Sequence, residues 1–252
     1  MNNKFVCIAS CLLLVSACKE KDEEAKPAPA NINTVPAFYM PATSDEYGLN
    51  TPELTLIANY NDQIVTPWDL DFHPTRENEL WILNKGTERT GGNTVTITDA
   101  GLANQKAEYR KDGNSWHFMA LPSSMSFSPD NENWATGAEI VDANRQGGTF
   151  TGPSLWSSDM AVYAKPSGGN GSHLDMLHAS PYSMGIESAG SGNAFWVFDG
   201  HNGHICWYDF QGDHGPGNAD HDDGMVRRYA EVEVKRESDV ASHLVLDKET
   251  GW

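Results

Sequence analysis

Ala194-Phe195-Trp196-Val197-Phe198-Asp199-Gly200-His201-Asn202-Gly203-His204-Ile205-Cys206-Trp207-Tyr208-Asp209-Phe210 is the stretch whose reading decides the fold. Two runs rich in aromatic and β-branched residues flank an Asp-Gly and an Asn-Gly. Those dipeptides accept the positive φ that tight hairpin turns demand, so the stretch predicts two antiparallel strands joined by a short turn.

Working outward, a weaker copy of the pattern occurs upstream and starts again near the last residues. Four segments share an order of apolar run, turn residues, tryptophan and hairpin. With Leu70, Met125, Met184 and Leu244 as anchors, the spacings are about 55, 59 and 60 residues, the range of propellers and arrays. Each unit offers short strands with turn signals and almost no helical periodicity, which predicts an all-β chain. A single such sheet cannot bury both faces, whereas radial stacking does so and leaves short edges. The expected fold is therefore a β-propeller; a β-sandwich with Asn-Gly hairpins is the competing arrangement.

The order Asp199-x-x-Asn202-x-x-Ile205-x-x-Tyr208-Asp209 resembles the NHL repeat, and Asn93 to Asp99 is similar to its second half, displaced by a Gly-rich insertion at 85–92. His204 stands where that repeat carries a basic residue. The resemblance implies NHL-like blades over residues 51–252, about three and a half of them. The last of these resembles an unfinished blade at 247–252, which predicts that the propeller is incomplete at its C-terminal side.

Lys4 precedes a 13-residue apolar run, Phe5 to Ala17. Such a run is too short to span a bilayer and matches a signal-peptide core. Val15-Ser16-Ala17-Cys18 resembles a bacterial lipobox, which implies cleavage after residue 17, acylation of Cys18 and a membrane partner through that anchor. Residues 18–50 are acidic and rich in Pro and Ala and read as a tether. Together these predict a lipoprotein of the bacterial cell envelope, at the outer membrane or exposed on the surface.

Composition narrows the partners. With 35 Asp+Glu against 17 Lys+Arg, the surface would repel phosphate backbones, so nucleic acid is not an expected partner. Of four cysteines, two fall in the leader and one would be lipidated. Cys206 is left alone, expected as a small buried residue on a strand.

Two places could carry chemistry. Residues 213–224 hold Asp213, His214, Asp220, His221, Asp222 and Asp223 among glycines. Carboxylates suit Ca²⁺ and imidazoles suit transition metals such as Zn²⁺; a solvated inter-blade loop is the alternative. The second place is the propeller axis, where Ser242-His243-Leu244 resembles a strand start in the NHL-type peptide-amidating lyases. That resemblance implies axial zinc on histidines, with His243 and His178 as candidates; Trp68 and Tyr182 occupy the matching positions of earlier units. His173 and His178, flanking an apolar run, otherwise read as hydrogen-bonded structural histidines. Trp116, Trp134, Trp156, Trp196 and Trp207 read mostly as strand aromatics filling blade interfaces. The expected function is a lipid-anchored module that binds a small ligand or a protein on loops 85–92, 145–153 and 213–224. The rival is a metal-dependent lyase or lactonase with its metal on the axis.

Overall fold

The computed structural model describes residues 55–165 and 169–247. The leader at 1–17, Cys18, the tether at 18–50 and residues 248–252 lie outside the described residues. The described residues fold as three four-stranded antiparallel sheets. The first holds β1 (Pro67–Phe72), β2 (Leu80–Thr87), β3 (Gly91–Thr98) and β4 (Lys106–Arg110). The second holds β5 (Pro122–Phe127), β6 (Asn133–Ala138), β7 (Ser154–Ser157) and β8 (Asp175–Met176). The third holds β9 (Ser183–Ser188), β10 (Ala194–Asp199), β11 (His204–Asp209) and β12 (Met225–Glu233). Each is a meander with strands adjacent in sequence order. Helix among the described residues is limited to α1 (Ser115–Phe118) and a 3-10 turn at Tyr60–Asp62.

The anchors Leu70, Met125 and Met184 fall on β1, β5 and β9, the first strand of each sheet. These first strands are neighbours, β5 lying against both β1 and β9. The Met125 N–H donates to Asp69 Oδ2 at 2.8 Å, and the Ser123 hydroxyl donates to the Ser183 carbonyl. The fourth anchor differs. Residues 241–247 run outside regular secondary structure, with the Leu244 backbone close against Gly185 of β9.

The deciding hairpin forms as read, in register from Ala194 opposite Asp209 to Asp199 opposite His204. Asp199 Oδ1 accepts the N–H groups of His201 at 3.1 Å and Asn202 at 2.9 Å, the local bonding that makes Asp a turn residue. Residues 85–92 form the end of β2, a turn at 88–90 and the start of β3, with Thr87 opposite Gly91 and the register irregular between Asn84 and Thr87. The glycine serves close approach: at φ +70°, a Cβ on Gly91 would sit 2.1 Å from the Ser115 carbonyl oxygen.

Side-chain alternation explains how the sheets stack. On the second sheet Trp134, Trp156 and Met176 join Trp81, Leu83 and Phe127 in one core, with Tyr163. Ala135 and Leu155, one residue out of phase, face the other way into a core with Phe195, Val197, Cys206 and Tyr208. Both faces of this sheet are therefore covered, and every residue of β5 and β6 is buried. The outer face of the first sheet (Leu80, Ile82, Val95, Ile97) is covered by Ile57, Ala58 and Ile64. Trp134 and Trp156 fill the interface as expected; Trp196 and Trp207 are half-buried, and Trp116 is exposed on α1 instead of lying on a strand.

Candidate metal centre

Residues 213–224 join β11 to β12 within the third sheet, so the segment is not a connection between sheets. It lies against β8: the Gly217 N–H donates to the His173 carbonyl at 2.8 Å, and Gly224 packs on Leu177. The packing brings five of the nine histidines of this acidic chain together. His117 comes from α1, His173 and His178 flank β8, and His214 and His221 come from the β11–β12 connection.

Asp175, on β8 and fully buried, is the hinge of the arrangement. Its Oδ1 accepts from His221 Nδ1 at 2.6 Å and from the Met176 N–H at 2.6 Å. Its Oδ2 is buried without a partner. An orphaned buried acceptor costs about 1–3 kcal/mol, so such atoms are uncommon unless something else binds there. One donor atom each from Asp175, His214 and Asp223 lies within 4.8 Å of the others. His214 Nε2 and Asp223 Oδ1 are 2.7 Å apart and share a hydrogen bond; a cation bound by Nε2 would displace that proton, because both need the same lone pair. The bond to Asp223 raises the His214 pKa above the ordinary imidazole value. Burial pushes the Asp175 carboxyl up, against the pull of His221.

The remaining imidazoles follow one another in a chain of ring contacts from His173 through His221 and His178 to His117. Ring centres are 5.7 Å apart for His173 and His221, 6.0 Å for His178 and His221 and 6.4 Å for His117 and His178. Phe118 stacks on His173 and Phe150 on His178, each with ring centres at 3.5 Å. Burial lowers the pKa of His173 to about 4 and of His178 to about 3, and it also lowers that of His117. These rings are accordingly neutral at pH 7, the form that ligates metals.

The supporting shell starts at Asp112, which is 2% exposed. Asp112 Oδ2 accepts from the Ser172 N–H and hydroxyl, both at 2.7 Å. Its Oδ1 accepts from the Asn114 N–H at 2.7 Å. One carboxylate thus ties the loop before His173 to the start of α1, which carries His117. Gly171 is required beside it, with φ +67° and a virtual Cβ 2.0 Å from Asp112 Oδ1.

Of the residues expected in a loop site, His214 and Asp223 converge on Asp175, and His221 bonds to it. Asp213 and Asp220 bond within their own loop, to the N–H groups of Gly215 and Asp222, and Asp222 is exposed. Asp175 and His117 escaped the sequence reading; both are single polar residues in apolar surroundings, with nothing local to mark them. The expected axial pair is split. His178 belongs to the histidine group above, whereas His243 Nδ1 lies 3.9 Å from Asp69 Oδ1 on β1. Trp68 carries the Lys85 ammonium over its ring at 3.6 Å and Tyr182 the Arg236 guanidinium at 4.0 Å. One imidazole beside carboxylates does not fit the three-histidine zinc that the amidating-lyase resemblance implies.

Of the three expected ligand loops, two meet. Arg145 donates to the carbonyls of Glu88 and Trp116, joining the β2–β3 turn to the long β6–β7 connection. Between them opens a cleft of about 580 Å³ lined by Glu88, Glu139, Asp142, Arg145 and Tyr182 among others.

No protein-family model matches this chain, and no curated protein does. Among solved structures the chain is similar to the hydrazine synthase of Kuenenia stuttgartiensis, at 12% identity and a TM-score of 0.36, over 57% of this chain and 40% of that one. It is also similar to a functionally unknown protein from Desulfotomaculum acetoxidans DSM 771, at 11% identity and a TM-score of 0.33, over 67% of this chain and 47% of that one. The chain spans less than half the length of either.

Proposed function

We propose that this is a cell-envelope protein of the β-propeller type whose function is to bind a divalent transition metal at Asp175, His214 and Asp223. Two observations carry the reading: Asp175 Oδ2 is buried without a partner, and one donor atom each from Asp175, His214 and Asp223 lies within 4.8 Å of the others. One imidazole with two carboxylates suits Zn²⁺ or a similar ion. Ca²⁺ prefers six to eight oxygens, and this set is poorer in oxygen than that. Three consecutive meanders with adjacent first strands support the propeller, and the sequence pattern from Asp199 to Asp209 supports NHL-like blades. The lipobox-like residues ending at Cys18 support the envelope location and a lipid anchor.

Elemental analysis of the purified full-length protein, followed by thermal shifts with Zn²⁺ and Ca²⁺, tests the site. Zn²⁺ should raise the melting temperature of wild type and of Asp220→Ala and Asp222→Ala, but not of Asp223→Asn. Stabilisation by Ca²⁺ alone, or an unchanged Zn²⁺ shift in Asp223→Asn, defeats the assignment. A second reading, a face that binds a small ligand or protein, rests on the 580 Å³ cleft between the β2–β3 turn and the β6–β7 connection.

A further inference from the structure

In each sheet the second strand turns one row of side chains toward the next sheet in order. On β2 that row includes Trp81, which is inaccessible and meets Phe127 and Trp134 of the second sheet, with ring centres at 5.6 and 5.3 Å. On β6 it includes Ala135, packed in one core with Phe195 and Val197 of the third sheet. On β10 it includes Trp196, out of phase with Phe195 and Val197. Trp196 is half-buried, and its ring contact among the described residues is Tyr229 of its own sheet, at 5.6 Å.

Residues 242–246 lie where the first strand of a further sheet would lie. The backbone of Leu244 is close against Gly185 of β9, and His243 Nδ1 is 3.9 Å from Asp69 Oδ1 on β1. Among the described residues, however, 242–246 take part in no strand pairing and no backbone–backbone hydrogen bond, and Val245 is 77% exposed. From this segment a groove of about 430 Å³ crosses the third sheet, lined by residues 244–246, Trp196 on β10, Ile205 on β11 and Tyr229 and Val232 on β12. Its lining holds no charged side chain.

Three features choose the occupant. An apolar small molecule would fill the groove but leave the N–H and C=O groups of 244–246 without partners. An extended polypeptide satisfies both, since the edge offers main-chain hydrogen bonds and the groove takes alternate side chains. The same antiparallel pairing joins first to second strand in all three sheets, so the addition would continue an interface already present. Charge adds the third feature: the chain has 35 Asp+Glu against 17 Lys+Arg, and Asp69, Asp71 and Glu187 line an adjoining cavity with residues 243–245. Basic residues between the apolar ones are therefore favoured.

We propose that this groove takes an extended segment of another protein, one that alternates apolar with basic side chains and adds antiparallel to residues 244–246 as a β-strand. Its apolar side chains enter the groove over Trp196, Ile205 and Tyr229. The inference does not rest on the metal site at Asp175.

The test titrates full-length protein into a fluorescein-labelled synthetic peptide of about ten residues, near the upper strand length, that alternates Val with Lys. Binding is read by anisotropy. Wild type should bind saturably, and amide exchange at residues 244–246 should slow in the complex. Two further peptides carry N-methyl groups on alternate residues, one in each phase; the one that loses the N–H groups facing the edge should bind about tenfold more weakly or worse. Val245→Lys, which sets a cation in the groove lining, should weaken the Val-Lys peptide to a similar degree. Val232→Lys asks the same question should Val245→Lys fail to fold, with circular dichroism as the check. No saturation by about 1 mM peptide overturns the proposal. So does undiminished binding of both N-methylated peptides, of a peptide with Glu in place of Lys, or by the folded variants. Self-association abolished by Val245→Lys would assign the groove to a second copy of this chain, and uptake of a fluorescent fatty acid that the peptide does not displace would assign it to a lipid; either result overturns the strand.

Discussion

Asp112→Ala tests whether one buried carboxylate holds the histidine-bearing loops. Three donors lose their acceptor: the Ser172 N–H, the Ser172 hydroxyl and the Asn114 N–H. Asn114 is half-buried, so water can replace the carboxylate there, but Ser172 is inaccessible. Two orphaned buried groups at about 1–3 kcal/mol each give roughly 2–6 kcal/mol of destabilisation. For a domain of this size about 2–4 °C accompanies each kcal/mol, so the melting temperature should fall by roughly 4–24 °C. Urea denaturation at pH 7 with metal chelated isolates this effect from any bound ion. Asp112→Asn should lie between, since an amide keeps one acceptor and turns its NH₂ toward donors. A loss under about 1 kcal/mol for Asp112→Ala would refute the reasoning, because buried donors left without partners cannot be that cheap.

Other consequences can be read in the same way. Gly171→Ala forces a Cβ into the Asp112 carboxylate at a left-handed φ; it should destabilise by about 2 kcal/mol or more in the same urea assay. His73 accepts N–H bonds from Thr75 and Arg76 at Nδ1 and contacts Ser158 Oγ through Nε2 at 2.9 Å, and burial lowers its pKa to about 4. The unfolded chain protonates near pH 6.5 and the folded chain resists until about pH 4, so this stability is complete above pH 6.5 and lost as the pH falls toward 4. Replacing His73 by Gln should reduce the slope of stability against pH between 6.5 and 4 by up to one proton; an unaltered slope would count against a neutral buried ring. Burial pushes the Cys206 thiol up, and the side chain is inaccessible. It should react with a thiol reagent only after unfolding, whereas rapid labelling of the native protein would mean that the second core opens.

Much of the fold was legible because its signals are local. The Asp199 turn and the aromatic runs around it announce a hairpin within seventeen residues, and the anchors Leu70, Met125 and Met184 mark the first strand of each sheet. In residues 85–92 the glycines were legible as turn-formers, but not the close approach of α1 that keeps Gly91 small. Half of the candidate site was legible, since His214, His221 and Asp223 advertise themselves in one polar loop. The other half was not. Asp175 sits between Leu174 and Met176 on a buried strand, His117 lies in a four-residue helix, and only tertiary packing brings them within reach of residues about 50 to 100 positions away. Trp116 gave a strand-like signal, yet α1 leaves it exposed, with the Arg145 guanidinium 5.3 Å from its ring centre.

The segment carrying His214 and Asp223 lies across a strand of the neighbouring sheet, and this has a mechanical consequence. An ion held between Asp175 and Asp223 would act as a reversible cross-link closing a loop of about 50 residues that contains most of the third sheet. Such closure restricts the unfolded chain, by an amount that grows slowly with loop length. Peeling the third sheet away would require the ion to leave first. The metal content of the surroundings would then set how readily a protease finds this part of the chain open, apart from any chemistry performed at the ion.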